Sequence, residues 1–245
     1  MKKQRRYSWI PDLPDVRDHL APFEIKARPT QADLRHHCSP VEDQGNLGSC
    51  TGNAIVGNLE YLEWRDGKHI NLSRLWVYYQ ERVIEHTVKQ DAGASIRDGV
   101  KSVAKLGVCT EKLWPYAIAK FANRPSAKSY SDAATRKISE YIRVANLDSM
   151  LQQLAQGVPV IFGFTVYESF ESAEVAKTGV VPMPGPSERL LGGHAVLAVG
   201  YDDGEQRVLT RNSWGKSWGM GGYFTLPYAY LNDRNLSDDF WSVRK

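Results

Sequence analysis

The stretch QGNLGSCTGNA, Gln44 to Ala54, decides how the rest of the chain reads. Its first half is a glycine-rich turn. From Gly48 onward the pattern turns helical, with Ala54, Ile55, Leu59 and Leu62 on one face of a 3.6-residue repeat. Cys50 therefore stands at the start of a helix, where unpaired backbone N–H groups and the positive end of the dipole favour a thiolate. The thiolate is the nucleophilic form, so a reactive cysteine suits the position. A lone cysteine there is also often a small buried residue, and this stretch alone leaves both readings open.

Downstream the helical pattern continues. Ser73 is a good N-cap for LSRLWVYYQERVIEH. Ser95, with Asp98 three residues on, resembles a capping box opening IRDGVKSVAKLG, which Gly107 would stop. A further short helix spans Leu147 to Gln156, ended by Gly157. The second half then changes character. VPVIFGFTV (Val158 to Val166), HAVLAVGYD (His194 to Asp202) and RVLTRNSW (Arg207 to Trp214) are short, β-branched or aromatic, and bounded by Gly, Asp and Pro, as strands are. Asp203-Gly204 supplies a hairpin signal between the last two. Helices followed by strands, without βαβ alternation, predict an α+β fold with segregated lobes.

The 245 residues suffice for one large or two small domains and for a core that needs no disulfide. With 42% hydrophobic and 24% charged residues, the chain is neither disordered nor a coiled coil. A net charge of +3 argues against a dedicated nucleic-acid partner, and no apolar run is long enough for a membrane helix. Three cysteines, Cys38, Cys50 and Cys109, leave at least one thiol free and favour a reducing compartment. Met1 to Arg6 is basic, but the polar, proline-interrupted YSWIPDLPDVRD that follows is no signal-peptide core. The expected location is cytoplasmic, or exported without a Sec signal. His36-His37-Cys38 lacks partners at ligand spacing, so no metal or cofactor is expected.

Cys50 acquires candidate partners in GGHAVLAVGYD (Gly192 to Asp202) and RNSWGKSWGMGGYF (Arg211 to Phe224). A cysteine nucleophile needs a base within reach, and the base needs a third group to orient it. His194 and Asn212, each at a predicted strand, can fill these roles. An asparagine oxygen accepts from the ring N–H without adding a charge that would disturb proton sharing.

Taken together, the motifs resemble the papain-like (C1) cysteine peptidases from about Asp33 to about Phe224. They run in family order: Gln44…Gly48-Ser49-Cys50, Gly193-His194-Ala195-Val196, then Asn212-Ser213-Trp214-Gly215…Trp218-Gly219…Gly222-Tyr223, with Leu113-Trp114-Pro115-Tyr116 matching a further element. The resemblance implies a two-lobed papain-like fold, with a helical lobe at about 33–145, a β-rich lobe at about 146–245 and the active site in the cleft between them. It implies Cys50 as nucleophile, His194 as base and then acid, Asn212 orienting His194, and Gln44 with the Cys50 N–H at the oxyanion. Trp214 would shield the Asn212–His194 bond, and Gly93 would pair with substrate backbone. Peptide or protein substrates follow from the resemblance. A thiol acyltransferase using the same acyl-enzyme, or a catalytically silent binding module, stays open beside hydrolysis.

Several features depart from the family pattern. Leu47 stands where the family usually carries a cysteine, and Thr51 replaces the usual bulky aromatic, which is expected to open the primed side of the cleft. Only about 30 residues precede the matching region, as in a short form without the long helical propeptide. Residues 1–32 form an N-terminal extension spaced by Pro11, Pro14, Pro22 and Pro29, a density that favours an extended strap. Tyr7, Trp9, Ile10, Leu13 and Phe23 would anchor it, either as plain packing or as an autoinhibitory segment in the cleft. Tyr228 stands near where a specificity pocket would be sought, without a pattern to fix it. Cys38 and Cys109 are expected to be structural.

Overall fold

A computed structural model describes residues 5–20 and 27–245; the expectation for Phe23 lies outside them. The first strand, β1 (Gln31–Asp33), leads into three helices: α1 (Cys50–Arg65), α2 (Arg74–Ile84) and α3 (Ile96–Leu106). After α4 (Ala127–Ala133) come β2 (Glu140–Arg143), α5 (Leu147–Ala155), β3 (Val160–Tyr167) and α6 (Ala173–Thr178). The chain ends with β4 (Leu190–Asp202), β5 (Arg207–Arg211), β6 (Tyr223–Pro227), α7 (Tyr228–Asn232) and β7 (Ser237–Arg244).

The strands form one antiparallel sheet in the order β2-β7-β3-β4-β5-β6, with β1 added against β4. Helices and an antiparallel sheet segregate as the sequence pattern predicts. β1 and β2, which bracket the helices in sequence, both join the sheet and tie the helical part to it. α1 packs against α2, α3 and β4 and is buried along nearly its whole length, so it shows no clean amphipathic stripe. Two of its buried polar side chains reach across to other elements: Asn58 donates to the Pro159 carbonyl, and Glu60 accepts from the Leu72 N–H and the Ser39 hydroxyl.

The helix ends follow the predicted chemistry with one change. Ser73 accepts from the Trp76 N–H at 3.1 Å, and Gly107 ends α3 at φ +78°. Ser95 accepts from the Asp98 N–H at 3.3 Å, but Asp98 does not return the bond. Glu85, at the C-terminal cap of α2, accepts from the Ser95 N–H at 2.7 Å instead, because the neighbouring helix end brings a longer carboxylate within reach.

Candidate active site

The turn before α1 is held from three directions. Gly48 N–H donates to Asp91 at 3.0 Å, the Ser49 and Tyr116 hydroxyls lie 2.6 Å apart, and Asn53 donates to the Ser49 carbonyl at 2.8 Å. Cys50 is thereby fixed as the first helical residue, with no exposed surface. Gln44 packs behind it. Its Nε2 donates to the Leu47 carbonyl at 3.0 Å, its Oε1 accepts from the Ser213 hydroxyl at 2.5 Å, and its backbone N–H reaches the Ser213 carbonyl at 2.9 Å. Gln44 therefore stitches the helical part to the segment carrying Asn212.

β4 places His194 opposite Phe164 of β3, fully buried. His194 Nε2 lies 2.9 Å from Asn212 Oδ1, which also accepts from the Ser213 N–H at 2.8 Å. A backbone N–H can only donate, so this atom is the acceptor oxygen and Nε2 carries the proton. The lone pair of a neutral ring then sits on Nδ1, which has no hydrogen-bond partner. Trp214 stacks on the His194 ring at 5.1 Å between centroids and 28° between planes. Phe164 and Phe170 approach the same ring, completing an apolar surround.

The chain's own N-terminal segment fills the space over these residues. Arg5 lies 4.6 Å over the Trp214 ring and Tyr7 stands edge-on to both His194 and Trp214, while its hydroxyl bonds Glu171. Ser8 Oγ is 3.6 Å from Cys50 Sγ. Trp9 N–H donates to the Gly193 carbonyl at 3.0 Å, Ala94 N–H to the Ser8 carbonyl at 3.2 Å, and Ile10 N–H to the Ala94 carbonyl at 3.1 Å. This segment runs parallel to residues around Ala94. Gly93, at φ +80°, lies directly beneath; a Cβ there would collide with the Ser8 carbonyl. Gly93 permits the close backbone approach, while the main-chain bonds are made by its neighbour Ala94.

Burial sets the charge state of the pair. It pushes the Cys50 thiol up and lowers His194 to about 4, against the Asn212 hydrogen bond, with nearby Arg5 lowering it further. Under the strap the two groups are a neutral thiol and a neutral imidazole.

Three expectations are corrected. Thr51 does not face the cleft: it is fully buried and donates to Glu81 at 2.8 Å, because the second residue of α1 turns towards α2. Ile10 and Leu13 do not anchor the strap, at 43% and 81% exposed. Trp9 and a set of buried carboxylates hold it instead. Tyr228 lies away from the cleft, its hydroxyl on Asp203 at 2.9 Å. Cys109 is buried and Cys38 partly so. No group of three or more metal-ligating side chains occurs among the described residues.

Sequence reasoning missed Ser213 as the partner of Gln44, although it adjoins Asn212. It also missed Asp239, which accepts from Trp9 Nε1 at 3.1 Å and from the Asp12 N–H at 2.7 Å. No local signal marks Asp239, because only the insertion of β7 between β2 and β3 brings it under the cleft.

Residues 28–239 match the model of the papain family cysteine proteases. The chain is 37% identical to an uncharacterized peptidase C1-like protein of Acanthamoeba polyphaga mimivirus, over 98% of this chain and 87% of that protein. It superposes on xylellain, a cysteine protease from Xylella fastidiosa, with a TM-score of 0.92 and 40% identity, covering 100% and 99% of the two chains. A Carica candamarcensis cysteine protease solved with E-64 shares the fold at a TM-score of 0.68 and 24% identity, over 89% and 99% of the chains. With its ordered motifs, antiparallel sheet and buried Cys–His–Asn set, the chain belongs to the papain family of cysteine proteases, peptide-bond hydrolases of the thiol type.

Proposed function

We propose that the protein hydrolyses peptide bonds through a thioester on Cys50, and that residues 5–20 keep this site latent until they leave the cleft. The observation that carries the reading is the His194–Asn212 bond, which leaves the Nδ1 lone pair of a tryptophan-shielded ring unpaired under the same strap whose Ser8 touches Cys50. With a peptide in place of the strap, the Cys50 S–H proton passes to His194 Nδ1 and the sulfur attacks the carbonyl carbon. The oxyanion takes hydrogen bonds from the Gln44 side-chain amide and the Cys50 backbone N–H. His194 returns its proton to the departing amine as the C–N bond breaks. Water then gives a proton to His194 and its oxygen to the thioester carbon, and C–S cleavage restores the thiol. Asn212 holds the ring through both halves, and its neutral oxygen leaves the imidazolium–thiolate state accessible.

Latency is supported by the same geometry. Ser8 lies against Cys50 and Tyr7 against His194, both of which are fully buried, and the dry surround disfavours both charged forms. Intact-mass analysis after incubation with E-64 tests the reading. A single adduct on Cys50, slow in the wild-type chain, faster in Trp9→Ala, and absent from Cys50→Ala and His194→Ala, is expected. Absence of any adduct and of any peptide cleavage in folded Trp9→Ala protein would favour a silent binding module.

A further inference from the structure

The loop that carries Gln44 is tied to a buried guanidinium by a file of hydrogen bonds that all point the same way. Arg74, the first residue of α2, is buried, and its Nη1 donates to Asn53 Oδ1 at 3.2 Å. Asn53 Nδ2 donates onward to the Ser49 hydroxyl at 3.1 Å and to the Ser49 carbonyl at 2.8 Å. The Ser49 hydroxyl lies 2.6 Å from that of Tyr116, and Tyr116 Oη donates to the Gln44 carbonyl at 2.9 Å. Ser49 is the N-cap of α1, yet its hydroxyl makes no cap bond to the helix and is turned into this file instead.

Chemistry at the two ends fixes the direction of every bond. A guanidinium can only donate and a carbonyl can only accept. Asn53 therefore shows its oxygen to Arg74 and its NH2 to Ser49. Tyr116 uses its one proton on Gln44, which leaves Ser49 to donate to Tyr116. Burial lifts the Tyr116 hydroxyl to about 12, so that proton stays in place through the neutral range. Bonds aligned in file polarise one another, and a charged donor at the head strengthens those below it. The peptide at the foot is pinned on its other side by the Gly45 N–H, which donates to Asp43 at 2.9 Å. Ser49, in the middle of the file, immediately precedes the Cys50 N–H. From these observations, and resting on the peptidase reading above, we infer that Arg74 is a positioning residue for the hydrolysis: it polarises and holds the relay that fixes the Gln44 side-chain amide and the Cys50 N–H for the oxyanion. Arg74 also pairs with Glu42 at 3.4 Å and Glu111 at 3.9 Å, and lies 4.1 Å over the Tyr116 ring. Tyr116→Phe keeps that ring and removes only the hydroxyl, so it separates the relay from these other contacts.

Two measurements test this, the first independent of turnover. Labelling the full chain with carbonyl-13C glutamine and 15N glycine leaves two carbonyl–amide pairs to observe by NMR, Gln44–Gly45 and Gln156–Gly157, the second serving as reference. Tyr116→Phe should move the Gln44 carbonyl upfield, as a carbonyl that has lost a donor does, with Gln156 unmoved. Arg74→Met should move it the same way by less. Asn53→Asp should do so too, because a carboxylate keeps the Arg74 bond but draws the Ser49 proton away from Tyr116. A Gln44 carbonyl that responds to Tyr116→Phe but to neither upstream variant overturns the relay. The second measurement is steady-state peptide hydrolysis in the Trp9→Ala background. Tyr116→Phe should lower kcat about tenfold with KM little changed, and Arg74→Met about threefold. Arg74→Met should add nothing once Tyr116 is phenylalanine, since both changes act through one hydroxyl. An Arg74→Met loss of the same size in both backgrounds would mean that Arg74 acts through its charge or its packing on the ring, and overturns the inference. If the Trp9→Ala chain cleaves no peptide while the carbonyl shifts follow the expected order, the relay stands and the peptidase reading falls.

Discussion

At the scale of single residues, the site works by restricting what each polar atom can do. Ser213 occupies the Asn212 oxygen from the backbone side, so the orientation of the asparagine, and through it the His194 tautomer, follows from one N–H. Gln44 is held by Leu47 and Ser213, which aims its amide without leaving it a free rotor. Gln44→Ala should lower kcat by about 10²–10³-fold, about 2.7–4 kcal/mol of transition-state stabilisation, with KM little changed. Steady-state kinetics in the Trp9→Ala background measure it, alongside thermal unfolding, since the Ser213 link is lost as well. His194 provides a pH marker. Its closed-state value near 4 lies below the ordinary 6.5, so the closed form resists the proton, and acidification through that window works against closure. The buried Asp12 and Asp239 are raised and pull the other way as pH falls. The His194 ring itself is therefore the group to follow. Its NMR titration should move from about 4 in the full chain towards 6.5 or above in Trp9→Ala; an unchanged midpoint would detach the strap from the charge state of the pair.

At the scale of elements, the ends of the helices carry more of the site than their middles. Ser73 caps α2 and also donates to the Trp114 carbonyl at 2.6 Å, tying the Trp114-Pro115-Tyr116 segment to the helix. Tyr116 in turn meets Ser49 and the Gln44 carbonyl at 2.6 and 2.9 Å. Ser73→Ala should cost about 1–2 kcal/mol in urea unfolding, from the lost cap and an unpaired carbonyl. Residual E-64 labelling per folded molecule should be unchanged if the cap acts on stability alone. The sequence patterns place α1, α2, α3 and α5 within a few residues, because periodicity and capping are local properties. They do not reveal that Asp98 lacks its reciprocal cap bond, since the competing Glu85 arrives from another helix.

At the scale of the whole molecule, the strap is bound by charge buried at its far end as well as by Trp9. Arg97 of α3 holds Asp18 through two bonds, of 3.1 and 2.5 Å, takes the Leu13 carbonyl at 2.6 Å, and presents its own N–H to Asp12 at 3.2 Å. Trp241 Nε1 donates to Asp12 at 2.8 Å. Both side chains of the Arg97–Asp18 pair are only 8% exposed, so removing one partner strands the other. Asp18→Asn should weaken strap docking by about 3–5 kcal/mol and lower the thermal midpoint, and it should speed E-64 labelling of Cys50 towards that of Trp9→Ala. Labelling as slow as wild type would mean that Trp9 and the backbone bonds around Ala94 suffice to keep the cleft closed.

The sequence by itself determined the α+β order, the helix that begins at Cys50, and the residue types of the candidate Cys–His–Asn–Gln set. Those features are written in local periodicity and in glycine-bounded motifs, each readable within a dozen residues. Tertiary structure decided the rest. Thr51 looks inward because α2 covers it. Ile10 and Leu13 stay in solvent because Trp9 and the buried carboxylates do the holding. Asp239 becomes an anchor of the strap only when β7 is inserted between β2 and β3, bringing it to a tryptophan at the other end of the chain. A contact spanning 230 residues leaves no trace in either neighbourhood, because its energy is realised only after the intervening sheet has formed.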